Sequence, residues 1–242
     1  MAYKDKNYLS EKALELLKAY APGKLLEAGA GDGVLSNEFA NLGFEVIACD
    51  LNEKRFKNRV PNITFRAIDL NGSLPFGDNL FDYVTCLEVI EHLENPHFLI
   101  AEFGRVLKNN GLLVISTPNI LNLKSRLRFL FEGSYEYFRK PPSEHINDGF
   151  NLHITPLRFH ELEYILFKNE FKIEEVTTSY LMRWLNILYL LKTLIKKQMW
   201  SKYKRVKKKS GFDYSRIYKI LLSDSLLLGK HLVIKARKIK SR

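Results

Sequence analysis

Leu25-Leu26-Glu27-Ala28-Gly29-Ala30-Gly31-Asp32-Gly33 is the stretch that decides the fold. Lys24–Ala28 reads as a short apolar strand running straight into the glycine turn. Val34–Leu42 then reads as a helix, with Val34, Leu35, Phe39 and Leu42 on one face and Gly43 at its end. Glycine lacks a Cβ and tolerates positive φ, so a strand–glycine turn–helix lets the backbone come close to a ligand. The spacing departs from the dinucleotide fingerprint G-x-G-x-x-G, because the third glycine comes one residue early. Glu27 at the strand end would also repel a pyrophosphate. It suits a cofactor that presents a cationic ammonium.

Working outward, apolar runs at Phe44–Cys49, Asn62–Ile68, Phe81–Cys86, Leu112–Thr117 and Phe171–Ser179 read as strands, with His231–Ala236 a short one near the C-terminus. Helices are expected over residues 8–20 with Ser10 as N-cap, from Pro96 to Leu107 with Asn109-Asn110-Gly111 as the stop, and over Pro156–Glu170. Strands alternating with helices at this spacing predict parallel βαβ units, hence an α/β sheet covered on both faces. Two more acids sit at strand ends. Asp50 closes VIACD, where a carboxylate can accept both hydroxyl protons of a ribose. Asp69 follows FRAI, where a carboxylate can accept from an adenine amino group. Leu51 and Leu70, one residue on, complete the expected pocket wall.

Composition sets the remaining bounds. The chain has 242 residues and 46% hydrophobic content, enough for one large domain over 1–242. Met1–Ser10 is polar, so no signal peptide is expected, and no apolar run reaches membrane-span length. Cys49 and Cys86 do not suggest a disulfide framework, which makes a cytoplasmic location the expectation. The net charge of +11 is concentrated: residues 181–210 hold ten Lys/Arg and no Asp/Glu, which leaves +1 for the other 212 residues.

The motifs LLEAGAGDG, VIACD, AIDL, LPF, FDYVTCLEVIEHL and GRVLKNNGLLVISTPN resemble the class I SAM-dependent methyltransferases (SAM, S-adenosylmethionine). The resemblance runs from about Leu25 to Asn119 and weakens through Phe171. It implies a Rossmann-like, mostly parallel seven-stranded sheet whose last strand, His231–Ala236, is antiparallel. It also implies Gly29, Gly31 and Gly33 around the methionine moiety, Asp50 on ribose, Asp69 on adenine, and Leu87 lining the pocket after the fourth strand. The Asn109-Asn110-Gly111 turn departs from the family, which often has a proline there.

Three side chains beyond that strand carry acceptor chemistry. Glu88, Glu91 and His92 are spaced i, i+3, i+4, which one helical turn would place on one face. Two carboxylates and an imidazole suit a divalent cation such as Mg2+. Similar Glu-x-x-Glu-His motifs occur in ubiquinone-pathway O-methyltransferases and in small-RNA 3′-terminal methyltransferases. Both imply a metal that holds substrate oxygens, and the RNA enzymes add a later histidine, for which His153 or His145 is available. Without a metal, His92 reads as a general base, worth roughly 10²–10⁴-fold, or as a helix-capping residue. The expected activity is O-methylation of a small, lipid-linked or saccharide acceptor. The alternatives are 2′-O-methylation of an RNA 3′ end and a catalytically silent SAM-binding module.

Acceptor choice is expected to reside in 119–155 and in the insertion 181–229. Leu181–Trp200 (LMRWLNILYLLKTLIKKQMW) is dense in bulky apolar residues, and Ser201–Ser210 (SKYKRVKKKS) is Lys-rich. Together they suit a helix lying on an anionic membrane surface, at the inner face of the membrane. A lid helix or an RNA contact using Trp200 and Tyr203 are the competing readings. The segment NLKSRLRFLFEG is similar to bacterial methyltransferases of surface-polysaccharide pathways.

Overall fold

A computed structural model describes residues 3–57, 60–138, 152–210 and 213–239. In chain order the main elements are α1 (Tyr3–Leu17), β1 (Lys24–Ala28), α2 (Val34–Asn41), β2 (Glu45–Asp50), β3 (Ile63–Ala67), β4 (Phe81–Leu87), α3 (Pro96–Val106) and β5 (Leu107–Pro118). They continue with α4 (Leu123–Glu132), α5 (Phe159–Lys168), β6 (Phe171–Thr177), α6 (Tyr189–Ser210), α7 (Ser215–Leu221), α8 (Asp224–Leu228) and β7 (His231–Lys238). The sheet order is β3-β2-β1-β4-β5-β7-β6. β1 to β5 pair in parallel, and β7 runs antiparallel to both β5 and β6. This is the Rossmann-like seven-stranded sheet that the strand pattern implies, with helices inserted between β6 and β7.

Continuous apolar runs form these strands because both sheet faces are covered. Side chains alternate faces along a strand. Leu113 and Ile115 of β5 join Leu26, Val84, Phe103 and Phe159 in one core, which α3 and α5 cover. Leu112 and Val114 join Leu25, Val46, Phe39 and Leu17 in the other, which α1 and α2 cover. A third, smaller cluster joins Leu123 of α4 to Met182, Leu185 and Leu227 of the insertion. The insertion is therefore anchored on α4, at the carboxyl edge of the sheet.

Several boundaries differ from the sequence pattern, two of them at expected helix caps or stops. Ser10 lies inside α1, which begins at Tyr3, so it caps nothing. The Asn109-Asn110-Gly111 turn does not stop α3. That helix ends at Val106, and Leu107 already pairs with Phe81, fully buried and with its carbonyl accepting from Lys238 Nζ at 2.7 Å. The turn is instead an irregularity within the β4–β5 ladder, with Asn110 at φ 66°.

Candidate active site

The glycine turn lies at the carboxyl end of β1. Gly29, Gly31 and Gly33 adopt φ of 82°, 59° and 82°, which only glycine takes up readily. The turn is also tightly packed from outside. A Cβ on Gly29 would overlap Val89 Cγ2, and one on Gly33 would meet the Phe56 ring at 2.5 Å. Backbone groups fix its path: Gly29 and Ala30 N–H donate to the Cys49 carbonyl at 2.8 and 2.9 Å. Cys49 itself is buried, and burial pushes its thiol up to about 12.

Asp50 sits where β2 ends. Its two oxygens accept from the Gly31 N–H at 2.8 Å and the Asn52 N–H at 3.1 Å, so the carboxylate holds the turn and retains lone pairs for a ligand. Asp69 accepts from the Asn71 N–H at 2.9 Å in a local turn after β3. Glu27 is buried and accepts from the Ser36 hydroxyl of α2, tying strand to helix. Leu51 is about half exposed at the edge of this region and Leu87 is half-buried. Leu70 differs from its expected place on the pocket wall: it is buried in the core with Ile68 and Leu74, and its side chain serves packing.

The acceptor-side residues are arranged differently from a single helical face. Only Ile90–His92 form a 3₁₀ turn, and Glu88 precedes it at φ 55°. Glu88 accepts from the Ser116 hydroxyl at 2.9 Å and lies 3.7 Å from His231 Nε2. His231 Nδ1 in turn is 2.6 Å from the Ser179 hydroxyl. The cluster whose ligand atoms lie within 4.8 Å of one another is Glu91, His92 and His153. Glu88 is not a member of that group, and His145 lies outside the described residues.

Backbone pairing makes the cluster. The Glu91 carbonyl accepts from the Ile154 and Thr155 N–H groups at 2.9 and 3.0 Å, and Thr155 Oγ1 donates to the Leu93 carbonyl at 2.8 Å. These bonds lay residues 152–155 against the Ile90–His92 turn and bring the two imidazoles to 4.6 Å, edge to face. His92 Nδ1 lies 3.0 Å from the Leu152 carbonyl, so it must carry the proton there. In the neutral ring the Nε2 lone pair is then left available.

Burial dominates the electrostatics of the cluster. Glu91 is 0% exposed, and its carboxylate oxygens have no well-formed hydrogen bond, only its own backbone N–H and the Thr117 hydroxyl close by. Burial, reinforced by the Glu88 charge, raises its pKa well above the usual carboxylate range. Burial lowers His92, and it lowers His153 to about 4 with help from the His92 charge. Both rings are therefore neutral near pH 7, and His153 Nδ1 is buried without a partner. A buried carboxylate without well-formed hydrogen bonds costs free energy unless it is protonated or meets a cation. One acid oxygen and two neutral imidazole nitrogens make a donor set that fits a divalent cation.

The sequence pattern missed several residues. Val89 and Phe56 wall the glycine turn, and Ser179 and His231 contact Glu88 or its neighbour. Their local sequence carries no signal, because each acts through a tertiary contact.

Residues 26–115 match a protein-family description reading "Methyltransferase domain". Among curated relatives, the ubiquinone biosynthesis O-methyltransferase of Glaesserella parasuis serovar 5 (strain SH0165) is 32% identical over 140 residues, covering 49% of this chain and 59% of the relative. The protein of the same name from Acinetobacter baumannii (strain AYE) is 28% identical over 167 residues, covering 62% of this chain and 69% of the relative. The match to the first thus spans about six-tenths of that protein's length. A crystal structure of a SAM-dependent methyltransferase from Archaeoglobus fulgidus superposes with a TM-score of 0.59 at 19% identity, covering 95% of this chain and 93% of that one. Sheet order, matched domain and relatives converge: residues 26–115 match a methyltransferase domain, and the chain is similar to SAM-dependent methyltransferases in sequence and fold.

Proposed function

We propose that the protein transfers the methyl group of SAM to a hydroxyl oxygen of a small, lipid-linked or saccharide acceptor, with Glu91, His92 and His153 holding a divalent cation beside the methyl donor. The observation that carries this reading is the Glu91–His92–His153 cluster, with Glu91 buried and both imidazoles half-buried, just beyond Val89, which packs against Gly29. The relatives' name, ubiquinone biosynthesis O-methyltransferase, supports oxygen as the nucleophile and a lipid-linked acceptor.

The residues divide the work. Gly29, Gly31 and Gly33 provide the backbone cradle for the methionine end, with Glu27 beneath it. Asp50 takes the ribose hydroxyls, Asp69 the adenine amino group, and Leu51 and Leu87 the apolar flanks. When bound, SAM supplies a methyl group on a sulfonium, whose departure leaves a neutral thioether, so the protein need not protonate a leaving group. The protein's task is to align the acceptor oxygen and exclude water. His92 Nε2 is neutral and available to hold the cation, and the acceptor's hydroxyl proton would leave to solvent base before transfer. A cation held by Glu91, His92 and His153 would lower the acceptor hydroxyl's pKa and hold its oxygen in place. Glu88, braced by Ser116, lies beside the site.

The insertion supports a membrane-surface location. Among the described residues no helix is long and apolar enough to cross a membrane. Ile187 and Leu190 are 84% and 76% exposed at the start of the insertion, and Leu130 and Phe131 are 72% and 81% exposed at the end of α4. Lys192 pairs with Asp224 and Lys207 with Asp213, leaving Lys204, Lys208 and Lys209 of α6 among the cations available to an anionic surface. The RNA reading loses one of its stacking rings. Tyr203 is buried, donates to Asp213 at 2.9 Å and packs on Tyr218 with ring centroids 5.2 Å apart.

The test is methyl transfer from labelled SAM to lipid extracts, saccharides and RNA, with and without chelator. Label on the lipid or saccharide fraction, lost on chelation, is expected. Label on RNA alone would replace this reading with 2′-O-methylation. SAM binding with no label anywhere would favour the silent module.

A further inference from the structure

A cavity of about 470 Å³ opens between α4, the segment that follows β6 and the residue before β7. Lys124, Arg183 and Lys230 line it together with the rings of Tyr137, Tyr180 and Trp184. Among the described residues Glu136 is the one acidic lining residue. It is buried and shared between Lys124 Nζ at 2.7 Å and Arg128 Nε at 2.8 Å, so its charge is already answered. Among the described residues, three cations against one carboxylate leave the lining at a formal +2. Lys230 Nζ lies 5.7 Å from the Tyr180 ring centroid and 5.9 Å from that of Tyr137, which holds the ammonium at the wall. Trp184 is 60% exposed and offers a flat face at the rim.

The cavity adjoins the acceptor end of the site. The Tyr137 backbone bonds to His153, and the Tyr180 ring centroid is 6.5 Å from that of His231, the neighbour of Glu88. Its volume exceeds that of a lone phosphate and falls within the range of small-ligand pockets. Clustered Lys and Arg recognise phosphate oxygens, and amphipathic rings cover a sugar's apolar face.

We propose that this cavity binds the phosphate of a phosphorylated saccharide acceptor. The phosphate is held by Lys124, Arg183 and Lys230, the sugar ring lies on the aromatic wall, and the hydroxyl to be methylated extends toward His92 and His153. The proposal rests on the acceptor-side reading above and narrows it to a phosphate-bearing sugar.

The test uses the full chain carrying Trp200→Phe, which leaves Trp184 as the only tryptophan. Its fluorescence is titrated with glucose 1-phosphate, inorganic pyrophosphate, glucuronate and glucose, with neither SAM nor metal present. Glucose 1-phosphate and pyrophosphate are expected to quench saturably, and glucuronate and glucose are not. Arg183→Ala and Lys230→Gln should each weaken glucose 1-phosphate binding roughly tenfold or more, as expected for loss of one charge-assisted bond. Arg183→Lys should recover part of the loss. Lys204→Ala/Lys208→Ala/Lys209→Ala should leave it unchanged. Three outcomes would overturn the proposal: glucuronate binding as well as the phosphate, affinity indifferent to Arg183 and Lys230, or loss confined to the α6 variant. SAM calorimetry on the same preparation reports separately on the methyl-donor reading.

Discussion

Gly29→Ala is the perturbation that tests how the cofactor turn is built, because two separate penalties meet at one atom. The backbone there has φ 82°, and a non-glycine residue held in the left-handed region costs about 1–2 kcal/mol. The new Cβ would also overlap Val89 Cγ2, and Val89 is half-buried against the core, so it cannot swing freely into solvent. Overpacking of this kind costs about 1–3 kcal/mol. The sum, about 2–5 kcal/mol, is a large part of the 5–15 kcal/mol by which a typical domain is stable. Val89→Ala alone removes two methyl groups from a half-buried site and should cost about 1 kcal/mol. In the double variant the overlap disappears while the backbone penalty stays. Its destabilisation should therefore fall short of the sum of the singles by about 1–3 kcal/mol. Urea denaturation of the four proteins, read by midpoint at constant slope, measures this coupling. Additivity within about 0.5 kcal/mol would refute the claim that Val89 defines the outer wall of the turn.

Further outcomes follow from other contacts. Asp50→Ala should weaken SAM by roughly 10- to 100-fold in calorimetry, since it removes a charged acceptor and loosens the Gly31 N–H it holds. Glu91→Gln keeps the shape of the buried carboxyl and removes its charge. Methyl transfer by this variant should be insensitive to chelator, whereas the parent's activity should fall on chelation and recover with added divalent cation. Glu102 is held below the usual carboxylate range, first by its hydrogen bond to Arg105. Its contribution to stability is present above the unfolded-state pKa and is lost as pH falls through the lower folded value. Glu102→Gln should therefore flatten the acid side of the denaturation-midpoint profile and lower the midpoint at pH 7. Replacing Lys204, Lys208 and Lys209 with alanine removes about 3 kcal/mol of attraction at about 1 kcal/mol per cation. Co-sedimentation with anionic vesicles should weaken on the order of 100-fold, while neutral vesicles bind neither form.

The sequence by itself determined the sheet, the glycine turn and the strand-end acids proposed for the methyl donor. Both are written in short-range patterns: apolar runs of strand length, a glycine turn between strand and helix, and acids one residue past an apolar run. Strand and turn chemistry act over a few residues, so Gly29, Gly31, Gly33, Asp50 and Asp69 were legible one by one. The acceptor end was not. Glu88, Glu91 and His92 have helical spacing, yet the chain turns at Glu88 with positive φ and enters a 3₁₀ turn only at Ile90, which sends Glu88 toward Ser116 and His231. His153 joins the cluster because the Ile154 and Thr155 N–H groups need acceptors and find the Glu91 carbonyl, a pairing no local pattern encodes. Buried backbone groups must be satisfied wherever the fold brings chain segments together. Only the tertiary structure decided that His153 faces Glu91, and which lysines and rings meet around the cavity beside it.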